Sequence, residues 1–484
     1  MSTASTFHAA PLLDPIRTAD GHVAGTIIGD AEAPVRVYRG IPYARPPLGD
    51  LRWRAPAPTL PWEGIRECTQ MPPSAPQAIG KLQIALDIPQ SEDCLNLNVL
   101  TPATRTSDRL PVMVWLHGGA YIHGNANEAF FNAPRLPQKG VVLVNVNMRV
   151  GPIGLLAHRL LSQESAHGAS GNYMVLDMIA ALRWVQTNIA AFGGDPGNVT
   201  IFGESGGGGK VLTLMCTAAA RGLFHKAIVE SGGVLGTLNG RPQVDTEALG
   251  EKVFAELGVD QAADPLAAAR ALPWRAIIEA DRRLVEQLQL TITRWNTTID
   301  NWLLQASTAE LIRTGEAANW VPVIAGCNRG EIDGTGVPYL TYPSLIHANV
   351  NVATSAARAG HRSYTYLFDR VPPGWRKGGC VSFHRLEPGY VFGDWDDRYG
   401  FFASDAFPLA KASGAKQTDP ELDDADRRVS EAMMTLWVSF ARDGVPAAPG
   451  LPEWPTYDAV GDRYLLIVDP PQVQSGYSRL VAPQ

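Results

Sequence analysis

Residues 199–211 read Val-Thr-Ile-Phe-Gly-Glu-Ser-Gly-Gly-Gly-Gly-Lys-Val. The first four are apolar or β-branched and predict a strand, and the glycines lead into a segment of helical length. Ser205 lies between the two in the pattern Gly-x-Ser-x-Gly. Small flanking residues permit a strained strand-to-helix turn that exposes a serine hydroxyl. The stretch therefore predicts a serine nucleophile on a sharp turn, although an ordinary glycine-rich loop has the same five-residue pattern.

A phosphate-binding loop is the main alternative, because it also combines a strand, a glycine-rich loop, a lysine and a helix. Two positions disagree with it. Counted back from Lys210, the first glycine of that motif falls on Glu204, whose carboxylate would repel phosphate. Val211 follows the lysine, where a Ser or Thr is needed to bind magnesium. The nucleotide-binding interpretation is therefore disfavoured.

The composition limits the classes of function. The 484 residues are 45% hydrophobic and 18% charged, which predicts a large buried core. A net charge of -7 and a pI near 5.8 leave no basic surface for nucleic acid or anionic lipid. No apolar run approaches the ~18 residues of a membrane span, and residues 1–10 lack the features of a secretory signal. We therefore expect a cytoplasmic protein that binds neither nucleic acid nor membrane.

The cysteines predict no zinc site. They lie far apart and form no Cys-x-x-Cys pair, and their odd number leaves at least one thiol unpaired. We expect all five to be reduced, namely Cys68, Cys94, Cys216, Cys327 and Cys380.

Short β-branched runs alternate with segments of helical length along most of the chain. This alternation predicts an α/β fold with a mostly parallel central sheet flanked by helices. The predicted strands are residues 112–116, 141–146, 199–202, 227–229, 321–325, 364–368 and 465–468. The clearest predicted helix covers residues 174–192, where apolar residues recur every three or four positions and Gly193 ends the pattern. Residues 22–102, rich in Pro and Gly, predict an antiparallel N-terminal edge.

A serine nucleophile requires a base, a group that orients the base, and donors for an oxyanion. In an open parallel sheet these groups lie in loops at the carboxyl ends of the strands. The first such loop reads His117-Gly118-Gly119-Ala120-Tyr121, whose small residues let backbone N–H groups reach a substrate oxygen. Glu331 follows the predicted strand 321–325, and His384 follows the next predicted strand. The order serine, acid, histidine is the one that α/β-hydrolases require.

Motifs elsewhere in the chain are more specific than the serine turn. Residues 40–49 read Gly-Ile-Pro-Tyr-Ala-Arg-Pro-Pro-Leu-Gly, and residues 91–99 read Ser-Glu-Asp-Cys-Leu-Asn-Leu-Asn-Val. Residues 181–185 read Ala-Leu-Arg-Trp-Val, and Trp454-Pro455 lies near the end. With the serine turn, these motifs resemble the type-B carboxylesterase and lipase family, which has the α/β-hydrolase fold. The resemblance covers nearly the whole chain.

The resemblance implies a role for each candidate residue. Ser205 is the expected nucleophile, His384 the general base and acid, and Glu331 the acid that orients the imidazole. The expected oxyanion hole consists of the backbone N–H groups of Gly119, Ala120 and Gly206. The implied reaction is hydrolysis of small to medium carboxylic esters through an acyl-serine, with a small-molecule ester as partner and no cofactor or metal. An amidase, a carbamate hydrolase, an acyltransferase and a non-catalytic scaffold stay open as alternatives.

The resemblance also implies one catalytic domain over residues 1–484. Residues 246–315 and 333–363 are the expected helical or loop insertions around the mouth of the active site. No repeat, low-complexity tract or linker divides the chain.

Several further polar residues receive an interpretation. Asp333 is the alternative acid, and Glu204 is not the triad acid because a neighbour of the serine cannot reach behind the histidine. Ser231 resembles a family serine that is buried behind the triad and forms hydrogen bonds. Arg45 and Glu92 resemble a structural ion pair.

The chain departs from the family pattern in four places. Glycines occupy residues 206–209, where the first position is usually alanine. Ala75 replaces a cysteine that many secreted relatives bridge to the position of Cys94, so Cys94 is expected to be free. Residues 69–93 contain no aromatic residue, so a choline-binding platform is not expected. Only 52 residues separate Glu331 from His384, which predicts a reduced wall and an open pocket.

Overall fold

An 11-stranded sheet forms the centre of the computed structural model. The described residues are 14–78, 88–232, 239–291, 293–332, 338–339, 343–377, 381–394 and 421–481. In chain order the strands of this sheet are β1 (Thr26–Ile28), β2 (Val35–Pro42), β3 (Asn96–Thr101), β4 (Leu110–Leu116), β5 (Val142–Val146), β6 (Gly194–Glu204), β7 (Lys226–Glu230), β8 (Val323–Asn328), β9 (Ser363–Phe368), β10 (Arg463–Ile467) and β11 (Gln472–Ser475).

The strand order across the sheet is β11-β10-β9-β8-β7-β6-β4-β5-β3-β2-β1. Every pairing from β5 to β10 is parallel. The pairings among β1, β2, β3 and β5 are antiparallel, as is the pairing of β10 with β11. Each predicted strand overlaps an observed one. The predictions of a mostly parallel sheet and of an antiparallel N-terminal edge are therefore confirmed.

Helices connect the strands and cover both faces of the sheet. The α-helices are α1 (Gly151–Leu155), α2 (Arg159–Glu164), α3 (Tyr173–Asn188), α4 (Gly206–Cys216), α5 (Gln243–Glu256), α6 (Pro265–Ala271), α7 (Trp274–Leu288), α8 (Thr308–Thr314), α9 (Pro343–Arg358), α10 (Pro373–Lys377), α11 (Glu387–Phe392) and α12 (Asp424–Asp443). Single 3-10 turns lie at Gly49–Leu51, Thr106–Asp108, Ala129–Asn132, Pro137–Lys139, Ile189–Phe192, Ala218–Ala220 and Tyr477–Val481. Smaller sheets lie outside the central one. One contains the strands Ile16–Arg17, His22–Ala24 and Ile65–Glu67. Another pairs Arg241–Pro242 with Thr298–Ile299, and a further one pairs Glu331–Ile332 with Pro338–Tyr339.

The predicted helix 174–192 is observed as α3 followed by a 3-10 turn. Gly193 ends this turn with a left-handed φ of 78°, a conformation that glycine adopts without a steric penalty. The next strand, β6, begins at the adjacent residue Gly194.

Side chains of β4 alternate between two cores. Val112 and Val114 belong to the core that contains α3 and α4, whereas Met113 and Trp115 belong to the core that contains α12. All four are at most 1% exposed. A strand buried on both faces reads as an uninterrupted apolar run, which explains why the sequence pattern located it. It also means that the loop after β4 starts from a fixed point.

The predicted partner of Glu92 was wrong. Arg52 forms a bidentate ion pair with Glu92, with two N–O distances of 2.6 Å, while Arg45 is exposed. The Arg52 guanidinium also donates to the carbonyls of Ala269 and Leu272 beside α6. Both arginines lie in the same proline-rich stretch. The 3-10 turn Gly49–Leu51 precedes Arg52 and turns it toward the interior.

Four of the five cysteines are free, as expected. Cys68, Cys94, Cys216 and Cys327 are buried and unpaired, and Cys380 lies outside the described residues. Within the described ranges, no helix has both the length and the apolar character needed to cross a bilayer.

Candidate active site

Ser205 is the single residue between β6 and α4. Its φ of 61° and ψ of -125° are strained for a residue with a Cβ. The Ser205 N–H donates to the Glu230 carbonyl on the neighbouring strand β7 at 2.9 Å. The predicted sharp turn is thus present, and it places the serine at the carboxyl end of the parallel sheet.

The glycines after Ser205 permit close contact between backbones. A Cβ on Gly206 would lie 2.8 Å from the Ala120 nitrogen, and a Cβ on Gly207 would lie 2.1 Å from the Leu116 oxygen. Gly208 and Gly209 face Gly232 and Tyr121 at similarly short range. The four-glycine run therefore lets α4 pack directly against the end of β4 and the loop that follows it.

Ser205, His384 and Glu331 form a continuous hydrogen-bonded chain. The His384 Nε2 atom lies 2.7 Å from the Ser205 hydroxyl, and its Nδ1 atom is hydrogen-bonded to a Glu331 oxygen. The other Glu331 oxygen accepts from the Asn328 N–H at 2.8 Å and from the Ser231 hydroxyl at 2.7 Å. Glu331 is 1% exposed, whereas Ser205 is only partly buried and so can be reached.

Ser382 fixes the loop that carries His384. Its hydroxyl donates to the Phe368 carbonyl at the end of β9 and accepts from the Arg329 N–H beyond the end of β8. The Ser382 carbonyl accepts from the Gly330 N–H at 2.7 Å. Ser382 is fully buried, so the acid loop and the histidine loop are held together from the inside.

Residues 117–121, here called the oxyanion loop after the role expected from the sequence, pack against the start of α4 beside Ser205. Gly119 and Ala120 both have positive φ angles, 96° and 50°, and the Gly119 carbonyl accepts from the Ile122 and His123 N–H groups. Among the described residues, the N–H groups of Gly119, Ala120 and Gly206 donate to no acceptor. These are the donors expected from the sequence, and the Gly206 contact brings them together.

A second buried carboxyl lies behind Glu331. Glu387 accepts from the hydroxyls of Tyr366 and Ser231 at 2.9 and 3.1 Å and from the side-chain amide of Asn328. Burial, together with the charge of Glu331, raises the pKa of Glu387 well above its ordinary value. Ser231 therefore bridges the two acids and forms hydrogen bonds, as interpreted from the sequence.

Glu204 approaches the histidine from the side of the serine. One Glu204 oxygen lies 3.3 Å from His384 Nε2, on the opposite side of the ring from Glu331. Burial raises the pKa of Glu204 to about 7. Burial works to lower the pKa of His384, but the charges of Glu204 and Glu331 outweigh it and raise that pKa. Both carboxylates thus stabilise an imidazolium.

Lys210 is buried beneath the oxyanion loop. Its Nζ donates to the His117 carbonyl at 2.7 Å and lies 3.5 Å from His117 Nδ1. Burial lowers the pKa of Lys210 to about 7. Burial and the nearby Lys210 also lower the pKa of His117, so its imidazole is neutral at pH 7. The Lys210 amine and the His117 backbone are thus joined by a buried hydrogen bond.

The structure brings together all six of the site residues named from the sequence, and it adds three. Lys210, Glu387 and Asn328 had no role assigned from the sequence. A glutamate three residues after the histidine was the available signal for Glu387, whereas nothing local indicated the contact of Lys210. Asp333 lies outside the described residues.

Two expectations depend on residues that are not described. The open pocket depends on the segment between Glu331 and His384, in which residues 333–337, 340–342 and 378–380 are not described. The absent aromatic platform falls on residues 69–93, of which 79–87 are not described. Across the described ranges, no group of three or more His, Cys, Asp or Glu side chains could hold a metal ion.

Comparisons with known proteins identify the family of the chain. The pattern of the carboxylesterase family matches residues 14–337 and 337–480. Para-nitrobenzyl esterase of Bacillus subtilis (strain 168) is 32% identical over 495 residues, covering 92% of this chain and 93% of the relative. Fumonisin B1 esterase of Sphingopyxis macrogoltabida is 32% identical over 512 residues, covering 96% and 88%.

Solved structures extend the comparison to the fold. A PNB esterase structure superposes with a TM-score of 0.78 at 26% identity, covering 97% of this chain and 99% of the other. The carboxylesterase of Geobacillus stearothermophilus gives a TM-score of 0.78 at 27% identity, covering 96% and 99%. The chain therefore belongs to the carboxylesterase family, whose members are serine carboxylic-ester hydrolases of the α/β-hydrolase fold.

Proposed function

We propose that the chain hydrolyses small to medium carboxylic esters with Ser205 as nucleophile, His384 as general base and acid, and Glu331 as the orienting acid. The observation that carries this proposal is the hydrogen-bonded chain from the Ser205 hydroxyl through both nitrogens of His384 to Glu331. A serine hydroxyl at its ordinary pKa is a weak nucleophile, and an adjacent oriented base activates it.

The reaction has two halves. His384 Nε2 removes the Ser205 proton while Oγ attacks the ester carbonyl, and the resulting oxyanion is bound by the N–H groups of Gly119, Ala120 and Gly206. The imidazolium returns its proton to the departing alcohol, which leaves an acyl-serine. Water then attacks the acyl group by the same route, and the acid is released. Glu331 and Glu204 stabilise the imidazolium in both halves.

Replacing Ser205 with Ala tests the proposal directly. We expect kcat for p-nitrophenyl acetate to fall by about 10⁴-fold or more, because removal of a triad member leaves only oxyanion-hole and binding effects. Circular dichroism checks that the variant is folded, and a fluorophosphonate probe should label the wild type but not the variant. Wild-type turnover by folded Ser205→Ala would reject the assignment.

The names of the relatives indicate different substrates, para-nitrobenzyl esters in one case and fumonisin B1 in another. A panel of esters that varies the acyl and alcohol chain lengths defines the preference of this chain. Matched amides and carbamates in the same panel test the alternative reactions, and we expect the esters to have the highest kcat/KM.

A further inference from the structure

Lys210 is a buried amine on the helix that begins directly after Ser205. Its side chain is 0% exposed and lies in the interior of α4. Among the described residues, the polar contacts of Nζ are with His117 alone, and no carboxylate lies within ion-pair distance. Burying an amine without a counter-ion is unfavourable, and a methionine would fill the same space without that cost. A lysine at this position therefore calls for an explanation other than packing.

Lys210 contacts His117, the first residue of the oxyanion loop. Each of the first three carbonyls of this loop accepts a hydrogen bond from inside the protein. The His117 oxygen accepts from Lys210 Nζ, the Gly118 oxygen accepts from His117 Nδ1 at 2.9 Å, and the Gly119 oxygen accepts from two N–H groups. The His117 bond to Gly118 requires a proton on Nδ1, so Nδ1 faces Lys210 only as a non-bonded neighbour.

These bonds determine where the N–H groups of the loop point. A trans peptide is planar, so its C=O and the N–H of the following residue point in opposite directions. Carbonyls held toward the interior therefore leave the next N–H groups facing the pocket. Lys210 fixes the first plane of the loop, whose N–H belongs to Gly118 and is not one of the proposed donors. The same bond holds the His117 backbone, and the His117 ring in turn holds the Gly118 carbonyl, whose peptide plane carries the Gly119 N–H donor.

We propose that Lys210 is a positioning residue of the oxyanion hole. Its hydrogen bond to the His117 carbonyl ties α4 to the oxyanion loop, so that the loop donors and Gly206 N–H converge on one substrate oxygen. The proposal rests on the esterase mechanism given above. It explains why the lysine is on α4, since that helix carries both Ser205 at its start and the third donor, Gly206.

The test compares two Lys210 variants with a control at the opposite end of the same helix. Lys210→Met removes the donor and keeps an unbranched side chain of similar size, and Lys210→Gln keeps an N–H donor without the charge. Thr217→Val is the control, because Thr217 directly follows α4 and its buried hydroxyl donates to the Thr213 carbonyl at the C-terminal end of the helix. The readouts are kcat and KM for p-nitrophenyl acetate, and Ki for an aryl trifluoromethyl ketone, which forms a tetrahedral adduct with an oxyanion.

We expect Lys210→Met to lower kcat by about 10- to 100-fold with little change in KM, and to raise the ketone Ki by a similar factor. Lys210→Gln should lower kcat and raise the ketone Ki by smaller factors than Lys210→Met. Thr217→Val should leave both kcat and the ketone Ki unchanged. A purely structural role would lower stability without separating kcat from KM.

Two failures are distinguishable. If the wild type turns over no ester and does not react with a fluorophosphonate, the proposed esterase function itself is wrong. If the wild type is active and Lys210→Met, or Lys210→Gln where the Met variant does not fold, keeps the wild-type kcat and Ki, the positioning role is overturned. Equal losses in Thr217→Val would overturn it as well.

Discussion

Gly206 stands so close to Ala120 that a Cβ at residue 206 would lie 2.8 Å from the Ala120 nitrogen. A real Cβ does not approach a backbone atom to this distance, so a larger residue has to move either α4 or the oxyanion loop. The contact joins two of the three expected oxyanion donors. The absence of a Cβ at residue 206 thus lets the start of α4 lie directly against Ala120, which determines how close these two proposed donors are.

Gly206→Ala should therefore widen the hole. We expect kcat for p-nitrophenyl acetate to fall about tenfold, because a displacement well below 1 Å weakens each donor without removing it. KM should change little, since these donors bind the ground-state carbonyl more weakly than they bind the oxyanion. An unchanged kcat would mean that the oxyanion loop moves away from α4 without weakening its hydrogen bonds to the substrate. Steady-state kinetics with the ketone Ki as a second measure decides between the two.

Glu331→Gln should leave the fold intact and abolish most of the activity. The amide keeps the shape of the side chain, but it carries no charge to stabilise the imidazolium and can select the wrong tautomer of His384. We expect kcat to fall by ~10³- to 10⁴-fold, as for the corresponding change in a serine protease triad. Labelling by a fluorophosphonate should slow in parallel. A variant within tenfold of the wild type would point to another acid.

Glu204→Gln should shift the acid limb of the pH profile. The Glu204 carboxylate lies 3.3 Å from His384 Nε2 and favours the imidazolium, so its removal lowers the pKa of His384. The base is then deprotonated at lower pH, and kcat/KM should rise at a pH about one unit lower than in the wild type. A measurement from pH 5 to 9 with Asp195→Asn as a distant control tests this. A limb that stays in place or moves to higher pH contradicts it.

Glu230→Gln should remove a pH-dependent loss of stability. One Glu230 oxygen accepts from the Trp437 indole at 2.6 Å, and burial raises the pKa of this carboxyl to about 8. The ordinary pKa in the unfolded chain is ~4.3, so the folded state holds the proton more tightly. The favourable contribution of Glu230 to the free energy of unfolding is complete below pH ~4 and is lost as the pH rises toward 8.

The glutamine variant keeps the acceptor for Trp437 and does not titrate. We therefore expect the unfolding free energy of the variant to increase relative to that of the wild type between pH 5 and 8, by as much as ~1.4 kcal/mol per pH unit. Urea unfolding at several pH values measures the difference. Parallel pH dependences of the two proteins would show that Glu230 is ionised in the folded state.

The sequence patterns located the strands, and the loops that carry Ser205, Glu331 and His384, for a physical reason. Strands such as β4 are buried on both faces, so they stand out as apolar runs, and catalytic residues of this fold lie in the loops directly after them. The choice between Arg45 and Arg52 as partner of Glu92 was not accessible in the same way. The choice depends on the direction in which the 3-10 turn Gly49–Leu51 points Arg52, and this direction cannot be predicted from composition or spacing.

The internal supports of the site escaped prediction for the same reason. Lys210 and the oxyanion loop are separated by about ninety residues in sequence, and Glu387 is linked to Glu331 through Ser231 and Asn328. Such contacts arise where three or more loops converge, so no local pattern encodes them. The glycine run was noticed as unusual, but its cause is the proximity of Leu116 and Ala120, which is visible only in three dimensions.

The bonds of Ser382 have a consequence for the order in which the site is assembled. His384 is anchored to the ends of both β8 and β9, and the serine turn and oxyanion loop are encoded much earlier in the chain. A growing chain that has folded only as far as β7 contains the proposed nucleophile and oxyanion donors but neither Glu331 nor His384. Under the proposed mechanism, Ser205 is therefore inactive until the last third of the protein is in place, and catalytic activity reports completion of the fold.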